Sequence, residues 1–147
     1  MGFDLGIFER YGSRLFSGFA VTLEILLLSC LFGIAIAVAA NVLARSRLPF
    51  ARPLVDGYIF FFRGTPLLAQ AFLIYFGAGE FRPWLEAAGL WGVFREAFWC
   101  GVMALSLNTG AYTAAILDGA LRSVPQGLVE ACTSLGFRPW TDRKSVV

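Results

Sequence analysis

The chain has 147 residues, of which 58% are hydrophobic without counting its 16 glycines and 15% are charged, for a formal net charge of +2. Soluble globular chains carry about 45–50% apolar residues with glycine included and about 25% charged ones, so the composition argues against an average soluble domain or a disordered tail. The small positive balance does not suggest a phosphate-backbone partner, and the lack of histidine removes imidazole acid–base chemistry and histidine metal ligation. A polytopic membrane protein without a nucleic-acid partner is the class that remains.

The first fifteen residues include Asp4, Glu9, Arg10 and Arg14, and so lack the basic start and short apolar core of a secretory signal. An apolar run follows from about Phe16 to Ala44, longer than the roughly 20 residues needed to cross a hydrocarbon core. Glu24 is its only ionisable residue, and Gly33, Ala35, Ala37, Ala39 and Ala40 suit close helix packing. A second run, about Leu54 to Gly79, contains Asp56, Arg63 and Pro66. The third, about Ala97 to Ala120, is interrupted by Asn108, Thr109 and Asp118. Three crossings are predicted. Cys30 and Cys100 fall inside runs and Cys132 in a later polar segment; with no CxxC pair, all three are expected to be buried small hydrophobes.

Arginine placement predicts the orientation. Arg45, Arg47 and Arg52 crowd the first link, and Arg122, Arg138, Arg143 and Lys144 follow the third run. The second link, Glu80 to Arg95, has only Arg82 and Arg95 as basic residues, together with Trp84 and Trp91. Counting Lys and Arg alone puts the first link and the C-terminal segment in the cytoplasm and residues 1–15 outside. The tryptophans then fit an outer interfacial belt, with a short helix lying on the membrane.

No enzymatic constellation is visible: GxxxxGK[ST], GxSxG and HExxH are all absent, and no metal or cofactor site is indicated. The informative residues are polar ones placed where lipid should be. An arginine at the centre of a crossing costs about 2.5–3.5 kcal/mol on insertion scales, so Arg63 either marks the inner interface or faces a pathway inside a bundle. The sequence favours the interface. Just beyond it, Gly64 and Pro66 loosen the helix, and Pro66 deletes a backbone donor. In the third run Ser106, Asn108, Thr109, Tyr112 and Thr113 place hydrogen-bonding groups on a helix, with 106, 109 and 113 on one face and 112 beside it. Such a stripe either glues helices together or lines a polar path; helix glue is the commoner use.

After the third run, Ser123 and Gln126 have capping-box spacing and Pro125 suits a first helical turn. Leu121, Val124, Leu128, Ala131, Cys132 and Leu135 repeat at three- and four-residue steps, and Gly136 is a natural stop. A short amphipathic cytoplasmic helix results, either lying on lipid or docking a cytoplasmic partner.

Three strings taken together resemble the permease subunits of bacterial binding-protein-dependent ABC importers, in the class that takes up histidine, arginine, glutamine and opines. These are TLEILLLSCLFGIAIAVAA from Thr22, FRGTPLLAQAFLIYFG from Phe62, and LNTGAYTAAILDGALRSVPQGLVEACTSLG from Leu107. The resemblance implies an all-α inner-membrane protein in which residues 16–141 form three helices of a five-helix permease core plus a cytoplasmic coupling helix. It implies as partners an ABC ATPase subunit that hydrolyses ATP on the permease's behalf, a second permease subunit (the same chain or a different one), a periplasmic amino-acid-binding protein and membrane lipid. Arg63, Gly64, Thr65 and Pro66 match the family's second-helix motif. Glu130, Ala131 and Gly136 match its E-A-A loop, which together with Leu135 would sit in a groove of the ATPase.

Two departures stand out: Ala115 and Asp118 occupy positions where the family often has Glu and Arg. Residues 142–147 do not resemble the continuation toward a fourth helix, and they back-translate to a sequencing-adapter sequence. A truncated frame with a non-native tail is therefore expected, and the chain alone is expected not to support uptake. A small self-assembling channel or a helical scaffold is the alternative, which the E-A-A helix argues against. The resemblance does not name the amino acid carried.

Overall fold

The computed structural model describes residues 5–125 and 127. The described residues form α1 (Leu5–Ala44), α2 (Ala51–Gly64), α3 (Leu67–Glu80), α4 (Arg82–Ala87), α5 (Trp91–Phe94) and α6 (Ala97–Arg122), with no strand among them. The helix expected from Val124 to Leu135, with Glu130, Ala131, Leu135 and Gly136, lies beyond its first residues outside the described residues, as do Cys132 and the 142–147 tail.

The first helix has no proline and begins eleven residues ahead of the predicted apolar run, at Leu5. Pro53 sits in the first turn of α2, where its missing N–H would have had no intrahelical acceptor. Gly12–Ala44 and Ala97–Arg122 are each long and apolar enough to cross a membrane. The second apolar run is not one straight helix. Its halves, Ala51–Gly64 and Leu67–Glu80, meet at 105°, and they supply a third span when taken as one bent unit. The break has a simple cause: a residue before proline is pushed out of the helical region, and Thr65 is extended at φ −113°, ψ 146°.

Pro66 also leaves the Phe62 carbonyl without its i+4 donor. Two amides replace it. Gln70 Nε2 donates to Phe62 O at 2.9 Å, to Thr65 O at 3.0 Å and to Thr65 Oγ1 at 2.6 Å. Asn108 Nδ2 on α6 donates to the same Phe62 O at 3.1 Å and to Gln70 Oε1 at 3.2 Å. Helix breaks in a membrane are tolerated when neighbouring groups re-satisfy the backbone in this way.

The core lies where α1 and α2 pack on α6. Ala37, Ala40, Val55 and Ala114 are its buried centre, with Ala44, Ile59 and Leu117 against it. Small residues let the backbones approach closely. A Cβ on Gly33 would lie 3.1 Å from Thr109 Cβ, and one on Gly110 would lie 2.9 Å from both Ile36 Cγ2 and Tyr58 Oη. Large apolar side chains point the other way: Leu27, Leu31, Phe76 and Ile116 are exposed, as a lipid-facing surface requires.

Cys100 is buried, its Sγ 3.2 Å from Phe94 O. Cys30 is exposed, which corrects the expectation that it is buried: Ser29 and Gly33 occupy the packed side of α1, and residue 30 lies one helical step of about 100° beyond Ser29. The second link folds as two short helices rather than one. Gly89, at φ +71°, ends α4 in a Schellman turn, with Gly89 N–H donating to Glu86 O at 3.0 Å and Leu90 N–H to Leu85 O at 2.8 Å.

Two predictions follow from this packing. Gly110→Ala should lower thermal stability in lipid nanodiscs by forcing α1 and α2 off α6. Gly101→Ala, whose Cβ meets nothing within 4 Å, should be neutral or stabilise by up to about 1 kcal/mol. Gln70→Leu should cost about 1–3 kcal/mol by stripping donors from buried carbonyls. Asn108→Leu should cost less in the same melts, because Gln70 would still serve Phe62; a larger loss for Asn108→Leu would reverse that assignment.

Candidate functional site

The inward side of α2 carries Ala51, Val55, Tyr58 and Phe62. Ala51 and Val55 are buried, Tyr58 Oη donates to Leu107 O on α6 at 2.6 Å, and Tyr58 packs on Phe62 with ring centroids 5.0 Å apart. Docked this way, α2 turns another face outward. Asp56, Phe60 and Arg63 recur there at helical three- and four-residue steps, with Ile59 at the border between this face and the core. With Gly64 and Tyr112 of α6 they line an open groove of about 430 Å³. The Arg63 guanidinium lies over the Tyr112 ring, its Cζ 5.3 Å from the centroid, within cation–π range.

Of the other polar residues singled out in sequence, Asn108 and Thr109 meet neighbouring helices. Ser106 is buried and its Oγ donates to Val102 O at 2.6 Å within its own helix. Asn108 serves the break, and Thr109 packs against Gly33 of α1. Thr113 is half-buried. Within the motif after Phe62, Thr65 Oγ1 donates to Phe61 O at 2.8 Å, Pro66 makes the break, and Gly64 opens onto the groove. The structure thus brings Arg63, Gly64 and Tyr112 together at one groove, whose lining does not include Ser106, Asn108 or Thr109.

A second constellation gathers the ends of α1, α2 and α6 around Asp118. Arg52 grips this carboxylate with both terminal nitrogens, at 2.9 Å and 3.2 Å, the two-pronged geometry that guanidinium and carboxylate favour. Arg122 Nε approaches it at 3.1 Å and Arg45 Nη2 at 3.4 Å. Arg45 also donates to Asn41 O and Oδ1, both at 3.0 Å. Asn41 Nδ2 in turn donates to Ala37 O and to Ala114 O on α6, both at 3.0 Å. The Asp118 side chain is 19% exposed, so one carboxylate accepts three guanidinium groups at the edge of the bundle.

Gln70, Asn41 and Asp118 were not among the sequence-predicted site residues. Each did carry a signal: an amide or carboxylate inside an apolar run is costly unless something pairs with it. For Asp118 the nearby partner Arg122 is four residues on, but the partners on other helices, Arg52 and Arg45, lie 66 and 73 residues away in sequence.

Comparison with known proteins places this arrangement. Residues 29–144 match the model of the family described as binding-protein-dependent transport system inner membrane component. The nopaline transport system permease protein NocM of Agrobacterium fabrum is 37% identical over 144 residues, covering 98% of this chain and 60% of that protein. The octopine transport system permease protein OccM of Rhizobium radiobacter is 39% identical, covering 93% of this chain and 56% of that protein. The arginine ABC transporter permease protein ArtM of Escherichia coli K12 is 48% identical over 84 residues, 57% of this chain and 38% of that protein. A crystal structure of an amino acid ABC transporter with histidines matches with a TM-score of 0.76 and 31% identity, over 94% of this chain and 60% of that one. The chain therefore spans less than two thirds of the length of each of these relatives. With the broken second span, the helices packed on α6 and the family match running through the E-A-A stretch, the chain belongs to the inner-membrane components of binding-protein-dependent transport systems.

Proposed function

We propose that this chain forms part of the membrane pathway of an ABC importer for polar or cationic amino acids. The observation that carries the reading is the 37% and 39% identity to nopaline and octopine permeases over nearly the whole chain. The relatives' names cite nopaline, octopine and arginine, which fits the polar and cationic amino-acid class. The chain would work in the bacterial inner membrane beside a second permease subunit, with a periplasmic amino-acid-binding protein delivering substrate and a separate ATPase subunit hydrolysing ATP.

Residues 1–15 lie outside in this reading, and the first link and the segment after α6 lie inside. The ion pairs of Asp118 with Arg45, Arg52 and Arg122 support it, because they gather the arginine-rich ends at one end of the bundle, as a single-sided basic surface requires. The segment from Val124 to Gly136 follows α6 directly. With Glu130, Ala131, Leu135 and Gly136 it is the element that docks on the ATPase. A displacement of that segment would act first on the last turn of α6, and through Asp118 on α1 and α2. The polar groups of α6 divide between two roles. Asn108 and Thr109 hold the helix against its neighbours, while Tyr112 faces the pathway.

Reconstitution of a five-helix permease carrying these residues, with receptor and ATPase, tests the function: receptor-dependent, ATP-driven uptake of L-arginine or octopine is expected there and none from the chain alone, and ATP-independent leak in its place would favour a channel. For topology, Ser13→Cys should react with an impermeant maleimide in intact cells and Ser46→Cys should not. For coupling, Glu130→Ala should weaken ATPase association by roughly 2–5 kcal/mol, the usual cost of removing one side of a buried charged pair. Gly136→Val should misplace the same helix, since glycine alone reaches positive φ freely. Both variants should insert normally, co-purify poorly with the ATPase and lose receptor-stimulated hydrolysis; full recovery and stimulation would refute docking.

A further inference from the structure

Asp118 is surrounded by more guanidinium than packing requires. One bidentate arginine neutralises a carboxylate, and Arg52 already supplies it. Arg45 and Arg122 nevertheless crowd the same two oxygens, at 3.4 Å and 3.1 Å, and like charges so close repel one another. Counting Asp56, which pairs with Arg52, three guanidinium groups stand against two carboxylates. Arg47, exposed in the link between α1 and α2, adds a further positive charge. The Asp118 side chain is 19% exposed, whereas those of Arg45 and Arg122 are 38% and 62% exposed, so the carboxylate is covered and the cations face outward. Arg122 approaches Asp118 through Nε alone, and among the described residues both its terminal nitrogens keep donors to spare.

This surplus lies at a definite depth. Arg45 directly follows one membrane-length helix, Gly12–Ala44, and Arg122 is the last residue of the other, Ala97–Arg122. The cluster therefore stands where hydrocarbon meets headgroups. Exposed apolar side chains stand at the same level: Val42 and Leu121 on the two spans, Leu48 and Phe50 in the link. A cluster facing only soluble anions has no use for Phe50, 82% exposed; one set at the boundary of the acyl chains does.

We propose that the ends of α1 and α6, with the link between α1 and α2, bind an anionic phospholipid. Arg45 and Arg122 take its phosphodiester, whose oxygens suit the guanidinium fork. Its acyl chains run back along Val42 and Leu121, while Leu48 and Phe50 anchor the link in the same layer. The phosphate offsets the surplus positive charge around Asp118 and so braces the last turn of α6 against α1. The site requires only that these helices span a membrane, and it stands apart from the importer reading.

The test uses a five-helix permease carrying these residues, assembled with its ATPase in nanodiscs of equimolar phosphatidylglycerol and phosphatidylcholine. After mild detergent extraction, native mass spectrometry counts the lipids retained. Phosphatidylglycerol should be kept in preference to phosphatidylcholine. Arg122→Gln should lower that preference about fivefold, as the loss of one basic residue at an anionic surface does, and Arg122→Lys should fall between. Asp118 stays held by Arg52 in both variants, and thermal melts check the fold. Where Arg122→Gln melts early, Arg47→Gln, which removes no ion pair among the described residues, is read in its place. Arg82→Gln, in the other link and paired with Glu86, should match wild type. No preference in wild type, equal retention by wild type and Arg122→Gln, or the same loss in Arg82→Gln would overturn the site. Displacement of phosphatidylglycerol by millimolar inorganic phosphate would overturn it in favour of a soluble anion. Loss of ATPase co-purification by Arg122→Gln in pure phosphatidylcholine would overturn it in favour of an acidic ATPase surface.

Discussion

Much of this architecture depends on one missing hydrogen-bond donor. Pro66 cannot give an N–H to the Phe62 carbonyl, and in a membrane an orphaned carbonyl has no water to turn to. The chain answers with two amides, Gln70 from beyond the break and Asn108 from α6. Because both converge on the same carbonyl, the break is fixed in place against α6. This fixed position sets the end of α2, and with it Arg63 and Gly64 at the groove. A straight helix through this segment would have carried Arg63 on a continuous lipid-facing cylinder. The 105° bend instead leaves it at the end of a half-helix, beside Tyr112.

The α1–α6 contact explains why so few large side chains are buried. At Gly33 and Gly110 side chains of the facing helices lie too close to admit even a methyl group without displacement, and the buried centre is largely alanine. Dispersion at close range and interhelical hydrogen bonds supply what burial of large apolar side chains supplies in water. Asn41, reaching across to Ala114 O, is part of that economy. Its side-chain oxygen then receives Arg45, which leads on to Asp118. The packed core and the charged edge are therefore one continuous network rather than separate devices.

That continuity bears on how a membrane domain could respond to a partner on one side. Asp118 sits one turn before the end of α6 and links three helix ends through arginines. Side chains of this length tolerate only small shifts before a bidentate geometry is lost, so the last turn of α6 cannot move without engaging α1 and α2. The groove lies a further turn and a half along α6, at Tyr112. Rigid helices therefore connect the charged edge to the groove over a short distance, with no flexible element between them.

Composition and hydropathy alone determined that this is an all-helical membrane chain, because a low charge content spread over three long apolar runs has no other stable placement. The RGTPLL and E-A-A strings pointed to the family, and local chemistry located the weak point at Gly64–Pro66, since proline's effect on the preceding residue and on the i−4 carbonyl is written into adjacent positions. What local sequence could not decide was which polar residues would meet. Whether the stripe on α6 was glue or pathway depended on which face turned toward α1, and only packing revealed that Asn108 and Thr109 meet the neighbouring helices while Tyr112 lies under Arg63 at the open groove. Asp118 read as an irregularity until two arginines of other helices, 66 and 73 residues distant, were brought beside it. Cys30 read as buried because its neighbours are apolar, yet in a membrane protein apolar surroundings in sequence are equally those of a lipid-facing surface. The periodicity that separates inside from outside in water is muted here, since both sides are apolar, and tertiary contact alone assigns the faces.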